Sequence, residues 1–232
     1  MNEILLILNL ILIFGGTLLF YKFIGKTGMY CWTAIATILA NIEVLIVVEA
    51  FGMEQTLGNI LFASTFLATD ILSENHGKKE AQRAVKIGIF TSISFIIITT
   101  MWLFFLPSES DFAHSHIKTI FASTPRVIIS GLVVYIITQY ADVFLYHRLW
   151  KFTEKISGDK KKYLWLRNNC ATIISQAMNA ILFNLFAFYG TYSGGTLTTI
   201  IITTFVIYIF TSLLDTPAVY LARKIAYKKG LA

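Results

Sequence analysis

The chain has 232 residues, of which 56% are hydrophobic and only 14% are charged, and its mean hydropathy is +0.69. A soluble domain of this length needs more charge to cover its surface, so the composition excludes an ordinary soluble fold and indicates a membrane protein. The net charge of +6 would suggest nucleic-acid binding in a soluble protein. Here the basic residues fall between apolar runs, where they are typical of membrane topology, and no nucleic-acid partner is expected.

Apolar runs long enough to cross a bilayer follow one another along the chain. About 20 apolar residues cross the hydrocarbon core as a helix, and seven runs fit: 4–24, 29–51, 57–72, 85–106, 127–146, 166–189 and 196–214. No basic segment precedes the first run, which favours a span over a cleaved signal peptide. The third run is rich in small and hydroxyl residues, which is typical of a helix buried among neighbours or broken around a site. Residues 107–125 predict an external loop with a short surface helix.

The distribution of Lys and Arg tests this map independently, because basic residues accumulate in cytoplasmic segments. With the N-terminus outside, 17 of the 19 Lys and Arg residues are cytoplasmic, and only Lys118 and Arg126 are external. Six or eight spans would place a basic cluster on the wrong side. We therefore predict an all-α, multi-pass protein of the plasma (inner) membrane with about seven spans, its N-terminus outside and its C-terminus cytoplasmic.

Polar side chains inside the spans are candidates for function. A charged side chain at mid-membrane costs about 2.5–3.5 kcal/mol on insertion scales, and such residues normally face the bundle interior or a cavity. One stripe of the sixth span carries four amide or hydroxyl side chains: Asn168, Thr172, Gln176 and Asn179. The stripe can bond neighbouring helices or hold a polar ligand, and Asn41 at similar depth favours a ligand site. Glu43 is the carboxylate closest to mid-membrane.

Charged residues also lie near the cytoplasmic ends of the spans: Asp70, Asp142, Arg167 and Asp215. In one interpretation, Arg167 pairs with one of these carboxylates and locks the helices together. In the other, they form an inner gate, or one carboxylate takes up a proton or cation during transport. Glu74 precedes Lys78 by four residues, the favourable order for an ion pair within a helix.

Motifs for covalent chemistry or nucleotide hydrolysis are absent from the sequence: it contains no HExxH, no GxSxG, no P-loop and no GxGxxG. Cys31 and Cys170 lie in apolar stretches without CxxC spacing. We expect no metal site, no cofactor and no enzyme activity, so transport is the default class. A membrane scaffold or sensor is the alternative from another class, and it requires that the intramembrane polar groups pair only with one another. A homo-oligomer stays open.

Residues 66–79 have the sequence FLATDILSENHGKK, which resembles the signature of the queuosine-precursor transporters, also called the vitamin-uptake-transporter family. Further blocks resemble the same family: ANI at 40–42, LWLRNN at 164–169, SQ at 175–176 and LDTP at 214–217. The resemblance runs from about residue 29 to 224. Residues 1–25 would then be an additional N-terminal span of a single membrane transporter domain over 1–232.

The resemblance implies import of a 7-deazaguanine-type precursor of the tRNA nucleoside queuosine. Asn and Gln can pair bidentately with the edge of such a base. Aromatic side chains could stack on its face: Trp32, Phe62, Phe66 or Phe183. The expected substrate-binding residues are Asn41, Glu43, Asp70, Gln176 and Asn179. The expected inner gate and charge network consists of Glu74, Asp142, Arg167, Asn168 and Asp215, with Asp70 beside it.

One position departs from the family pattern. After Ser175-Gln176 the family usually has Asp followed by Thr, whereas this chain has Asn179-Ala180. Asn keeps the size and the acceptor oxygen of Asp but loses the charge, so the substrate or the coupling could differ. A different purine-like compound or vitamin therefore stays open as the substrate. A substrate-binding subunit that needs a separate ATPase also stays open.

Overall fold

The computed structural model describes residues 1–122 and 125–230 and is a helical bundle, as predicted. Within these residues the helices are α1 Asn2–Ile24, α2 Lys26–Glu43, α3 Gly58–His76, α4 Lys78–Trp102, α5 His114–Ala122, α6 Pro125–Ser157, α7 Leu164–Phe188 and α8 Gly194–Lys229. A short hairpin of β1 Val47–Ala50 and β2 Met53–Thr56 joins α2 to α3.

Among the described residues, five helices are long and apolar enough to cross a membrane, namely α1, α4, α6, α7 and α8. They carry the large apolar side chains that remain exposed in the isolated chain, such as Leu12, Phe90 and Phe210, which suit contact with lipid. The two other long helices, α2 and α3, have 18 and 19 residues and carry more polar side chains. The fold is therefore a polytopic all-α bundle.

Helix α3 lies at the centre of the bundle, against α1, α2, α4, α6 and α8. It is buried from Gly58 to Ser73 except at half-buried Phe62. Small and hydroxyl side chains let neighbouring helices approach closely, and the hydroxyls bond back to their own helix. Thr65 Oγ1 donates to the Phe62 carbonyl at 2.7 Å. This burial agrees with the prediction made from the composition of the third run.

The predicted second span is wrong at its C-terminal end. Helix α2 ends at Glu43, and residues 47–56 pair as an antiparallel hairpin with Ala50 opposite Met53. Phe51 and Gly52 at its tip have φ angles of 54° and 70°, the geometry of a two-residue type I′ turn. Hydropathy cannot distinguish a short apolar strand from the end of an apolar helix. Glu43 consequently ends a helix and does not lie mid-span.

Other helices extend past the apolar runs that predicted them. Helix α6 continues to Ser157, and α8 continues through Pro217 to Lys229. The added turns are basic, and hydropathy therefore misses them. The short helix expected between residues 107 and 125 is α5.

Gly28 sets how closely α1 and α2 approach each other. A Cβ atom on residue 28 would lie 2.3 Å from the Phe20 carbonyl oxygen, a backbone atom that moves only if α1 moves. We expect Gly28→Ala to lower the free energy of unfolding by about 1–3 kcal/mol through overpacking. The measurement is the thermal midpoint of the detergent-purified protein.

Gly15→Ala is the matched control, because a Cβ at Gly15 meets no atom within 4 Å. That variant should be neutral or slightly more stable, since Ala is the better helix former. Equal midpoints for the two variants would contradict a close approach of the helices at Gly28.

Candidate functional site

A narrow pocket opens in the half of the bundle that contains the C-terminal ends of α2 and α7 and the N-terminal ends of α3 and α6. Its cavity volume is about 70 Å³, which is below the about 300–1,000 Å³ usual for ligand pockets, so the pocket must widen to admit a ligand. The polar lining consists of Thr37, Asn41, Asn59, Thr65, Ser92 and Asn179. The aromatic lining consists of Phe62, Tyr135, Phe183 and Tyr208.

A hydrogen-bonded chain of amides and a hydroxyl crosses one side of the pocket. Asn179 Nδ2 donates to the Tyr208 hydroxyl at 2.7 Å, and that hydroxyl donates to Asn59 Oδ1 at 3.2 Å. On the facing helix, Asn41 Nδ2 donates to its own helix at the Thr37 carbonyl, 2.8 Å away. The carbonyl oxygen of Asn179 and that of Asn41 are thus placed at the pocket as acceptors. A ligand edge with N–H groups would suit them.

Aromatic rings form the other walls of the pocket. The Phe62 ring centroid lies 6.0 Å from that of Tyr135 and 6.5 Å from that of Tyr208. Tyr135 packs so closely on α4 that a Cβ at Gly88 would lie 1.9 Å from its hydroxyl oxygen. Rings at such spacing offer flat faces to a flat ligand. Phe183 also lines the pocket.

The structure brings only some of the expected residues to this pocket. Asn41 and Asn179 line it, whereas Glu43 lies in a separate crevice against α1, beside Leu5. Gln176 is 1% exposed, and neither of its amide atoms has a hydrogen-bond partner in the described part of the chain. Asp70 is fully buried and lies further from the mouth of the pocket than Thr65, which lines the pocket on the same helix. Among the aromatic candidates, Trp32 instead donates to Ser64 Oγ at 3.1 Å, and Phe66 packs against Phe62 with ring centroids 5.3 Å apart.

Asn59 and Tyr208 are pocket residues that the sequence analysis missed. Both lie within predicted spans, so the criterion of polarity inside an apolar run applied to them. Asn59 was not singled out because it stands near the start of its run, and Tyr208 because aromatic rings are common in apolar helices. Their significance follows from the helix packing, which places both beside Asn179.

Glu74 and Arg167 form a buried ion pair at the opposite end of the bundle. Arg167 Nη2 lies 2.8 Å from Glu74 Oε1 and 2.7 Å from Oε2, and the Tyr146 hydroxyl donates to Oε2 at 2.7 Å. Arg223 approaches Glu74 Oε1 to 3.5 Å, and the Arg167 guanidinium stacks 4.2 Å from the Trp150 ring centroid. The bidentate pair is of the strong, directional kind. It bonds α3 to α7.

This pairing corrects two expectations. Arg167 pairs with Glu74 and not with one of the three aspartates, and Glu74 does not pair with Lys78. Gly77, with φ of 85°, ends α3 between Glu74 and Lys78. The two residues therefore belong to different helices, and the spacing rule for one helix does not apply to them.

Three aspartates lie buried between the pocket and this ion pair. Asp70, Asp142 and Asp215 are each at most 2% exposed and come from α3, α6 and α8. Thr172 Oγ1 donates to Asp70 Oδ2 at 3.1 Å, and Asn168 Nδ2 donates to Asp215 Oδ1 at 2.7 Å. The expected network residues thus form two groups, the ion pair and the three aspartates.

Comparison with known proteins agrees with this architecture. Residues 56–222 match the family model described as "Putative vitamin uptake transporter". The chain is 36% identical over 207 residues to a protein of Bacillus subtilis (strain 168) named "Probable queuosine precursor transporter", and the match covers 89% of this chain and 88% of that protein. No solved structure matches the chain. The protein is a multi-pass plasma-membrane protein of the uptake-transporter type rather than an enzyme, and the chain belongs to the vitamin uptake transporter family.

Proposed function

We propose that the protein imports a flat, purine-like base of the 7-deazaguanine type, a precursor of queuosine, through the pocket between α2, α3, α6, α7 and α8. One observation carries the proposal: the pocket combines aromatic rings with the amide side chains of Asn41, Asn59 and Asn179. A deazaguanine presents adjacent N–H donors and a carbonyl acceptor on its edge, and its faces stack on aromatic rings. The name of the Bacillus subtilis relative supports the same substrate class.

We further propose that seven helices cross the membrane, namely α1–α4 and α6–α8, with the N-terminus outside. The support is that 17 of the 19 Lys and Arg residues then face the cytoplasm. In this orientation the pocket lies in the external half, and the Glu74–Arg167 pair lies at the cytoplasmic end. The arrangement suits a site that receives substrate from outside and is closed towards the cytoplasm.

A scaffold or sensor without transport is disfavoured, because it predicts that the intramembrane polar groups leave no cavity.

Uptake by the purified protein alone in liposomes would separate a complete transporter from a binding subunit that needs an ATPase. In cells that can neither make nor import queuosine precursors, expression should restore uptake of a labelled 7-deazaguanine and queuosine in tRNA. Normal membrane expression without any uptake would contradict the proposed function.

Asn41 and Asn179 test the pocket directly. We expect Asn41→Ala and Asn179→Ala each to weaken 7-deazaguanine uptake, with an apparent affinity about five- to tenfold lower. A hydrogen bond to a buried ligand contributes about 1–1.5 kcal/mol. The measurement is the concentration dependence of initial uptake at matched protein levels.

Asn184→Ala is the matched control for these variants. Asn184 is a buried amide of the same α7, it donates to its own helix at the Ala180 carbonyl, 2.7 Å away, and it does not line the pocket. An equal loss of affinity in all three variants would indicate a general packing defect and would remove Asn41 and Asn179 from the site.

Asn179→Asp should change which base the protein prefers. The Asn179 amide donates to the Tyr208 hydroxyl, which donates onward to Asn59. A carboxylate can only accept, so the Tyr208 hydroxyl would turn towards it and release Asn59. Competition of unlabelled purine-like bases against labelled 7-deazaguanine should therefore rank the bases differently in the variant. An unchanged ranking would show that position 179 does not set specificity.

The proposed topology predicts that the two chain ends lie on opposite sides of the membrane. A reporter that is active only in the cytoplasm should work when fused after α8 and fail when fused before α1. A second fusion in the loop before α5 should behave like the N-terminal fusion. Activity of both terminal fusions in the cytoplasm would exclude an odd number of spans.

A further inference from the structure

The three buried aspartates form a cluster that the pocket itself does not use. Asp70 lies near enough to Asp142 and Asp215 for their charges to interact, and a hydrogen bond between two of these carboxyl groups would need a proton. Two carboxylates can share such a bond only when one of them carries a proton, since a carboxylate has no donor of its own. Both oxygens of Asp142 lack any hydrogen-bond donor among residues 1–122 and 125–230. Asp142 therefore has carboxylate oxygens without a donor, and a proton on a carboxyl group of the cluster would supply one.

No basic side chain in the described part of the chain forms an ion pair with these three aspartates. The nearest buried cation, Arg167, is held by Glu74 through two Nη2 contacts, and Arg223 is directed at the same carboxylate. A buried carboxylate without a paired cation takes up a proton or binds another cation. No group of three His, Cys, Asp or Glu side chains in the described ranges is arranged to hold a metal ion. The unpaired carboxyl groups can therefore take up a proton.

The charged and titratable groups around the cluster come from every element that packs there. Towards the cytoplasmic end they are Glu74, Tyr146, Arg167 and Arg223. Glu74 contacts the other three groups and is paired most closely with Arg167, while the second guanidinium group, that of Arg223, is 27% exposed. On the flank of α3 that faces α1, α2 and α4, further groups pair among themselves: Tyr21 with His76, and Glu80 with Lys26, Tyr30 and Arg83.

A second, independent feature links the cluster to the pocket. On α7, Thr172 bonds Asp70, and Asn179 lines the pocket. Gln176 follows Thr172 by four residues on the same face, and it is 1% exposed with both amide atoms unpartnered in the described chain. A buried amide without protein partners is rare in folded proteins. Its side chain lies in the interval between the cluster and the pocket.

A hydrogen-bonded path on the neighbouring helices crosses the same interval. Thr65 lines the pocket and accepts from Gln139 Nε2 at 2.7 Å. Gln139 Oε1 accepts from Thr69, next to Asp70, at 3.4 Å, and Asp142 follows Gln139 by one turn on α6. Occupation of the pocket can thus be sensed at the aspartates through two helices.

We propose that Asp70, Asp142 and Asp215 form a proton-binding site that couples substrate import to proton entry, with Gln176 and Gln139 connecting it to the pocket. The proposal rests on the proposed import function. A proton from the external side enters the Asp70–Asp142 pair when substrate occupies the pocket. It leaves to the cytoplasm when the Glu74–Arg167 end opens. At zero membrane potential, one proton per substrate limits accumulation to about tenfold for each unit of pH difference.

The test uses the purified full chain in proteoliposomes with a radiolabelled, uncharged 7-deazaguanine as the probe. Two quantities are measured: exchange of labelled for unlabelled base without any gradient, and accumulation when the exterior is more acidic than the interior. A pH-sensitive dye inside the vesicles reports proton entry. We expect the unaltered protein to exchange, to accumulate the base and to acidify the interior only when substrate is present.

Asp142→Asn should retain measurable exchange but lose the response to the pH gradient, and Asp142→Glu should recover part of it. Glu109→Gln is the control, because Glu109 is an exposed carboxylate in the external loop. Exchange without any response to the pH gradient, or accumulation driven by sodium instead, would overturn the coupling proposal alone. Absence of exchange in the unaltered protein would overturn the proposed import function and this inference with it. A full gradient response in a folded Asp142→Asn would also exclude the proton site.

Discussion

The structure depends on one constraint: polar groups buried in a membrane bundle must find partners inside the protein, because hydrocarbon offers none. Helix α7 shows how this is met. Its polar stripe bonds α8 through Asn168, α3 through Thr172 and α8 again through Asn179. Each bond fixes the rotation of α7 against a neighbour. Gln176 alone on this stripe has no partner in the described residues, so the unsatisfied position stands out against an otherwise paired helix face.

Hydroxyl and amide side chains solve the same problem in different ways. Ser64, Thr65 and Thr69 on α3 all donate to carbonyls of their own helix. Such short side chains are satisfied locally and leave room for close helix packing. The longer Gln139 reaches across from α6 to bond two hydroxyls of α3. The central helix is therefore both tightly surrounded and connected by hydrogen bonds to the helix that carries Asp142.

The sequence predicts well how far along a helix each residue lies, because each residue advances about 1.5 Å. It predicts poorly how each helix is rotated against its neighbours and which side chains pair. The stripe on α7 follows from residue spacing alone, and so does the burial of α3. The partner of Arg167 does not, since Glu74 and the three aspartates all fall near the same ends of their predicted spans, and residue spacing does not show which of them faces Arg167. The apolar composition of residues 44–51 predicted the end of a helix, whereas β-branched residues and a Phe51-Gly52 turn form a hairpin there. Asn59 and Tyr208 matter only through packing that brings three helices together.

The Glu74–Arg167 pair has a consequence for the rest of the charge in the bundle. A bidentate contact with one carboxylate uses the guanidinium of Arg167 so fully that it cannot also neutralise Asp70, Asp142 or Asp215. Had Arg167 faced the aspartates, they would form a permanent ion network of purely structural use. Because Arg167 faces Glu74, the three aspartates have no basic partner in the described part of the chain. They lie close to the pocket, and Gln139 contacts both Thr65 of the pocket lining and Thr69 beside Asp70. In the proposed orientation, the pairing at the cytoplasmic end thus leaves carboxyl groups at the centre of the bundle that could gain and lose charge.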